Sequence, residues 1–169
     1  MGNFLGMLDS STVNLALYPI AQGLNITLTE VQWVVIAYML VLTIFLPFFG
    51  KLGDIFPKNK VYGSGFLIFA IGALLNCTAP NFYTLLIFRC IEALGASIMI
   101  ANGPAVIATL FKGEKRGQAL GLNASLVAVG GMTGPAVGGA LINFFGWRAI
   151  FLPSVPLAII GAYLAFKLL

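Results

Sequence analysis

Apolar positions fall in long runs separated by short polar breaks, and six of these runs approach or exceed the roughly 20 residues needed to cross a bilayer. They cover 4–21, 31–50, 61–79, 82–109, 118–142 and 149–168. The breaks are Gln22–Glu30, Lys51–Lys60, Pro80–Asn81, Lys112–Gly117 and Asn143–Arg148. The pattern predicts an all-α membrane protein, one bundle of six transmembrane helices over residues 1–169. The fourth run is long for one span and holds Gly103-Pro104, which predicts a kink or a tilt there.

Composition agrees and narrows the surroundings. Hydrophobic residues make up 60% of the chain and charged residues only 8%, where roughly 25% is usual for a soluble domain. Mean hydropathy is +1.01. With so few charges, most of the surface must face a solvent as apolar as the core, and that solvent is lipid. The 20 Gly and 8 Pro suit membrane helices, which pack closely through Gly and repair the hydrogen bonds Pro removes. A net charge of +4 from so few residues excludes nucleic acid as the natural partner. There is no His, and Cys77 and Cys90 lie in apolar runs, so neither a metal site nor a disulfide framework is expected.

Charge placement orients the bundle. Lys51, Lys58 and Lys60 fall in the second break and Lys112, Lys115 and Arg116 in the fourth, whereas the alternate breaks hold only Arg148. The positive-inside rule then predicts a multi-pass protein of the cell membrane with both termini cytoplasmic, and Trp33 and Trp147 at the outer interface. The first run lacks a basic leader and contains Asp9 and Asn14, so it reads as a span rather than a secretory signal. Only eight residues precede Asp9, short for half of a crossing helix, which predicts a chain that begins before residue 1. Shifted by 89 positions, Gly50-Lys-Leu-Gly-Asp-Ile-Phe56 aligns with Gly139-Ala-Leu-Ile-Asn-Phe-Phe145. An odd number of spans separates the copies, as a three-plus-three inverted repeat requires.

Ionisable side chains inside spans are the strongest chemical signal, because each costs roughly 2.5–3.5 kcal/mol at the bilayer centre on insertion scales. Asp9 lies in the first span, Arg89 and Glu92 in the fourth. Arg89 and Glu92 are three apart and share a helix face. Arg89 is the one intramembrane cation open to Asp9. Either the three form a structural ion pair between two helices, or they line a polar cavity in which a carboxylate takes and releases a proton. Gly50-Lys-Leu-Gly-Asp-Ile-Phe-Pro-Lys-Asn-Lys60 offers Gly50 and Gly53 for close helix contact. Asp54, Lys58 and Lys60 there form either a positive loop with a capping Asp or a charge latch. Gly131, Gly134 and Gly138 in the fifth span make one groove-like face, edged by Gly139 and bent by Pro135. So many Gly make a weak helix unless a partner backbone lies against it. Asn-x-Thr/Ser triplets at Asn25, Asn76 and Asn123, two of them at or within membrane depth, carry no weight.

These stretches resemble the major facilitator superfamily, and within it the N-terminal half of drug/proton antiporters of the fourteen-span type, the QacA and EmrB group. Leu8-Asp9-Ser-Ser-Thr-Val-Asn14-Leu-Ala-Leu-Tyr-Pro19 is similar to that group's first-helix Leu-Asp-x-Thr-x-Val-Asn-x-Ala-Leu-Pro. Gly50 to Lys60 resembles the superfamily loop Gly-x-Leu-Ala-Asp-x-x-Gly-Arg-Lys, and Gly134-Pro135-Ala-Val-Gly138-Gly139 the fifth-helix Gly-Pro-x-x-Gly-Gly. Arg89-Cys-Ile-Glu92-Ala-Leu-Gly95 is similar to the fourth-helix Arg-x-x-Gln-Gly-x-Gly. The resemblance implies one half of a major-facilitator fold, with Asp9 and Arg89 in proton coupling and Asp54 and Lys58 in a cytoplasmic latch. It implies that the Gly134–Gly139 face contacts the other half. Glu92 departs from the usual Gln, Ala93 and Pro57 each from a Gly, and Tyr18 sets the proline one position late.

The expected function is therefore proton-coupled efflux of lipophilic or cationic small molecules by alternating access, with the proton as coupling ion and no cofactor. Asn14, Tyr38 and Met99 are candidate substrate-cavity residues. The expected partners are the bilayer, the small-molecule substrate, and a C-terminal half or a second copy as homodimer. Uptake or lipid movement on the same scaffold, or a transport-dead module for membrane interaction or sensing, are the rival readings.

Overall fold

The computed structural model describes all 169 residues except for the side chain of Leu168. Six helices follow one another: α1 Gly2–Leu24, α2 Leu28–Ile55, α3 Lys58–Cys77, α4 Phe82–Leu110, α5 Glu114–Phe145 and α6 Ser154–Leu168. A tight 3-10 turn over Trp147–Phe151 precedes α6. Five segments are long and apolar enough to cross a bilayer, with Trp147–Lys167 counting as one. At 23 residues, α1 is long enough to be the sixth, about 1.5 Å of rise per residue, but Asp9 and its other polar residues make it less apolar.

Local chemistry explains the boundaries. α1 closes on Asn25, whose left-handed conformation (φ 53°) lets its N–H reach back to the last carbonyls. Thr27 then opens α2 with a capping box: its hydroxyl accepts from the Glu30 N–H, and the Glu30 carboxylate accepts from the Thr27 N–H at 2.8 Å. Asn81 caps α4 by accepting from the Thr84 N–H. α2 continues to Ile55, so Gly50–Asp54 are helical and the connection to α3 shrinks to Phe56-Pro57. Asp54 does not cap α3; Pro57 occupies that position with no side-chain bond.

α3 packs along α4 and α6, α1 along α5, and α2 along α4. Exchanging the first three helices for the last three carries the α1–α5 pair onto α4–α2 and returns α3–α6 to itself. Those two pairings fit an inverted three-plus-three repeat, as do Asp54 and Asn143 in the last turns of α2 and α5, whereas the extensive α3–α4 contact has only a slight α1–α6 counterpart. Two apolar clusters fill the bundle. One, with Ile20, Val34, Leu85 and Phe151, lies towards the α1–α2 and α3–α4 connections; the other joins Leu5, Phe66, Phe69 and Met99. α2 and α5 bury little, and large side chains such as Ile44, Phe48, Met132 and Phe144 stand exposed. An apolar exterior of this kind is what a lipid-facing or partner-facing surface demands. Trp33 is exposed, but Trp147 is buried at 7% exposure, against Gly23 and under the Arg148 guanidinium 4.3 Å from its ring. Trp147 therefore packs inside the bundle, beside Arg148, which turns inward to grip the Ala79 carbonyl at 2.9 and 3.2 Å.

Candidate functional site

Asp9, Arg89 and Glu92 meet inside the bundle. Arg89 Nη1 donates to Asp9 Oδ2 at 2.8 Å and to Glu92 Oε2 at 2.6 Å, so one guanidinium nitrogen serves carboxylates from α1 and α4. None is more than 2% exposed. Helix geometry fixes this: residues 89 and 92 project from one face of α4, and α1 crosses that face at Asp9. The Tyr38 ring from α2 lies 4.2 Å below the guanidinium and Phe151 closes it at 5.7 Å. From α3, Asn76 donates through Nδ2 to Glu92 Oε2 at 2.6 Å. Four helices thus contribute to one polar centre, of which the sequence pattern identifies only α1 and α4.

The centre is not open to water. Of the two expected arrangements, the ion pair between helices is the one present in this conformation, and the ionisable groups do not line a wet path. The cluster is also unsaturated: Asp9 Oδ1, Glu92 Oε1, Asn76 Oδ1, Arg89 Nε and the Tyr38 hydroxyl are buried without a hydrogen-bond partner. Unsatisfied buried polar atoms are expensive, so this concentration sets the cluster apart from the rest of the core.

A cavity of about 340 Å³ adjoins the cluster, lined by Asn3, Met7, Ser10, Tyr38, Leu42 and Ile100. The proposed cavity residues do not converge on it. Tyr38 lines it, while Asn14 is exposed at a separate hollow beside Gln32 and Val35. Met99 is wholly buried against Gly2 and Gly65 and is a core residue, not a wall. Asn3 and Ser10 are cavity residues outside those expectations; Ser10 is a polar residue within the first apolar run and Asn3 lies just before it.

The glycine motif is brought together differently from its expectation. The buried face is Gly130, Gly134 and Gly138, spaced four apart, with Gly131 at its edge against Met7 and Pro135 outside. It seats α1 of the same half, which corrects the expectation that it faces another half. A Cβ on Gly130 would stand 2.9 Å from the Phe4 carbonyl oxygen, and one on Gly138 2.7 Å from Thr12 Cγ2. Ser11 and Thr12 hydroxyls reach across to the Gly130 and Gly134 carbonyls at 3.4 and 3.3 Å. Gly139 meets Leu15 loosely, at the rim.

At the lysine-bearing end, Gly53 lies against the Asn102 side chain of α4, whereas Gly50 faces open space. Asn102 is held there by donating to the Phe49 and Ile98 carbonyls. Lys58 donates to Thr109 Oγ1 at 3.0 Å, and Asp54 and Lys60 are exposed. Among the described residues, every ion pair involves Arg89, so Asp54 makes none. No group of metal-ligating side chains occurs among the described residues.

The sequence pattern of the Major Facilitator Superfamily matches residues 1–169. The chain belongs to that superfamily. Among solved structures it is similar to a bacterial homolog of the human lysosomal transporter Spinster, inward-facing and unoccupied. The TM-score is 0.84 at 18% identity, covering 98% of this chain and 40% of that one. The superfamily half built here is also 41% identical over 169 residues to the riboflavin transporter RibZ of Clostridioides difficile (strain 630), covering all of this chain and 37% of that protein. It is 32% identical over 158 residues to the multidrug transporter protein MdtP of Bacillus subtilis (strain 168), 94% of this chain and 29% of that one. The chain therefore spans about a third of the length of these curated relatives. It is a multi-pass membrane protein of a transporter superfamily, with half of the superfamily's fold.

Proposed function

We propose that the whole protein exports lipophilic or cationic small molecules in exchange for protons by alternating access, as a drug/proton antiporter, with this chain as its N-terminal half. The observation that carries this reading is the Asp9–Arg89–Glu92 cluster, buried where α1 meets α4 and one side chain away from a cavity through Tyr38 and Ser10. Two carboxylates against one guanidinium leave a net charge of −1 when all are ionised. A proton cancels that charge; a cationic cargo in the adjoining cavity replaces it. Mutual exclusion between proton and cargo is the minimum that exchange requires. The similarity to a protein named as a multidrug transporter supports the cargo class.

The basic loops support placing both termini in the cytoplasm. Asp54 makes no ion pair among the described residues of this bundle, and Lys58, held there only by Thr109, can exchange that bond for a latch with a second bundle at that end. That bundle is a C-terminal half or a second copy of the chain, packed against α2 and α5, whose exposed apolar side chains support such a partner.

The test is drug-driven proton movement in sealed vesicles bearing the whole protein. Asp9→Asn is expected to abolish coupling at normal expression, and coupling that survives the substitution removes Asp9 from the mechanism. The 41% identity to a protein named as a riboflavin transporter favours a second cargo, a flat heteroaromatic compound of that kind, seated on the Tyr38 side of the cavity. A transport panel containing riboflavin beside lipophilic cations separates the two.

A further inference from the structure

Glu92 Oε2 accepts two hydrogen bonds, from Arg89 Nη1 and from Asn76 Nδ2, both at 2.6 Å. Its other oxygen, Oε1, has no partner, and neither has the Asn76 carbonyl oxygen Oδ1. Both residues are at 0% exposure, so water does not reach them from outside. The two orphans belong to the same two planar groups, already joined through one edge. In a coplanar pairing the remaining edge sets Oε1 beside Oδ1. A carboxylate cannot use it, because both oxygens are then acceptors. A carboxylic acid can: Oε1–H donates to Oδ1 while Nδ2–H donates to Oε2, and both orphans vanish into a two-bond acid–amide ring.

The charge balance gives the same answer by another route. Asp9 from α1 and Glu92 from α4 share the single guanidinium of Arg89. The remaining titratable groups at the cluster are neutral ones, the Tyr38 phenol from α2 and the Cys77 thiol from α3, whose Sγ is engaged with the Ala73 carbonyl. With both carboxyls ionised, the sealed centre would hold an uncompensated negative charge in low dielectric. One proton removes it. Asp9 has no amide counterpart, whereas Glu92 has one in place.

We propose that Glu92 holds a proton in this conformation and shares it with Asn76 Oδ1, so that Asn76 is the positioning residue for the proton that the cluster exchanges. This rests on the antiport reading only for what the proton is used for; the acid–amide pair itself stands on the geometry. A change of the Asn76 or Glu92 rotamer that breaks the pair would remove the acceptor and free the proton to leave.

Infrared difference spectroscopy of the whole protein tests it without any transported substrate. Wild type minus Glu92→Gln at neutral pH is expected to show a carboxylic-acid C=O stretch, since exposed carboxyls are ionised there. Gln can make the same two bonds through its own amide, so Glu92→Gln is expected to fold. In Asn76→Leu the band is expected to move to the higher frequency of an unbonded acid. No acid band in the wild type, or one that persists in Glu92→Gln, overturns the assignment. A band unmoved in Asn76→Leu overturns the pairing, and that shift decides should Glu92→Gln not fold. A vesicle assay without proton exchange alongside a positive spectrum would sink the antiport reading and leave the protonated pair standing.

Discussion

α1 uses two neighbouring stretches of its surface in opposite ways. On one side Asp9 reaches Arg89 of α4; on the other, two and three residues later, Ser11 and Thr12 lie on the glycine face of α5. The α4 contact is made of a few strong, directional bonds and leaves five buried polar atoms around it unpaired. The α5 contact is made of backbone laid against backbone, with both hydroxyls bonded to carbonyls. Close packing of small residues is the main attraction between helices in lipid, where no hydrophobic drive acts between them. The glycine seam is thus the constant joint of the bundle. The charged contact, held by ion pairs, is the one whose strength is expected to change with pH.

The comparison breaks most severely at Arg89. Replacing Arg89 with Leu strands the Asp9 carboxylate unpaired in the core and strips Glu92 of its guanidinium donor, and the expected cost is about 3–5 kcal/mol. In detergent this should appear as a collapse of the melting temperature, partly restored by acidification, which neutralises the carboxyls. A variant that melts like wild type would show that the ion pairs contribute little to holding α1 on α4. At the seam, Gly130→Val drives a branched side chain against the Phe4 carbonyl, a backbone atom that cannot swing aside. The expected loss is about 1–3 kcal/mol, insensitive to pH, and that insensitivity is what sets it apart from Arg89→Leu. Equal pH dependence in both would mean the two contacts are one cooperative unit.

How much was legible beforehand follows the same division. Helix number, the order of the spans and the pairing of Arg89 with Glu92 come from run length and three-residue spacing, which are properties of single helices. The partners Asn76 and Tyr38 are not local. Each comes from a different helix, and only the crossing of α2 and α3 over α4 brings them to Arg89 and Glu92. Asn76 had a signal in being a lone amide in an apolar run. The glycine face was read one residue out of register at Gly131, because a three-four spacing and a four-four spacing both make a stripe and only the partner selects. Met99 is core rather than the expected cavity wall, and nothing in its sequence neighbourhood separates a core methionine from a lining one.

Tyr38 sharpens the comparison with the smallest energies. Its ring supports Arg89 at 4.2 Å and its hydroxyl is buried without a partner. These two parts make separable predictions. Tyr38→Phe keeps the ring under the guanidinium and removes an unsatisfied hydroxyl, so stability is expected to stay within about 0.5 kcal/mol of wild type or to rise. Tyr38→Leu removes the ring and with it a desolvated cation–π contact, expected to cost about 2 kcal/mol. The same hydroxyl belongs to a cavity-lining residue, so Tyr38→Phe should weaken binding of a cargo that offers it a hydrogen-bond acceptor while leaving the melting temperature alone. Thermal melts paired with ligand-binding curves separate the outcomes. Binding lost together with stability in Tyr38→Phe would make the phenol a structural member of the charged contact, and the cavity would then need another polar anchor, with Asn3 and Ser10 the remaining side chains able to serve.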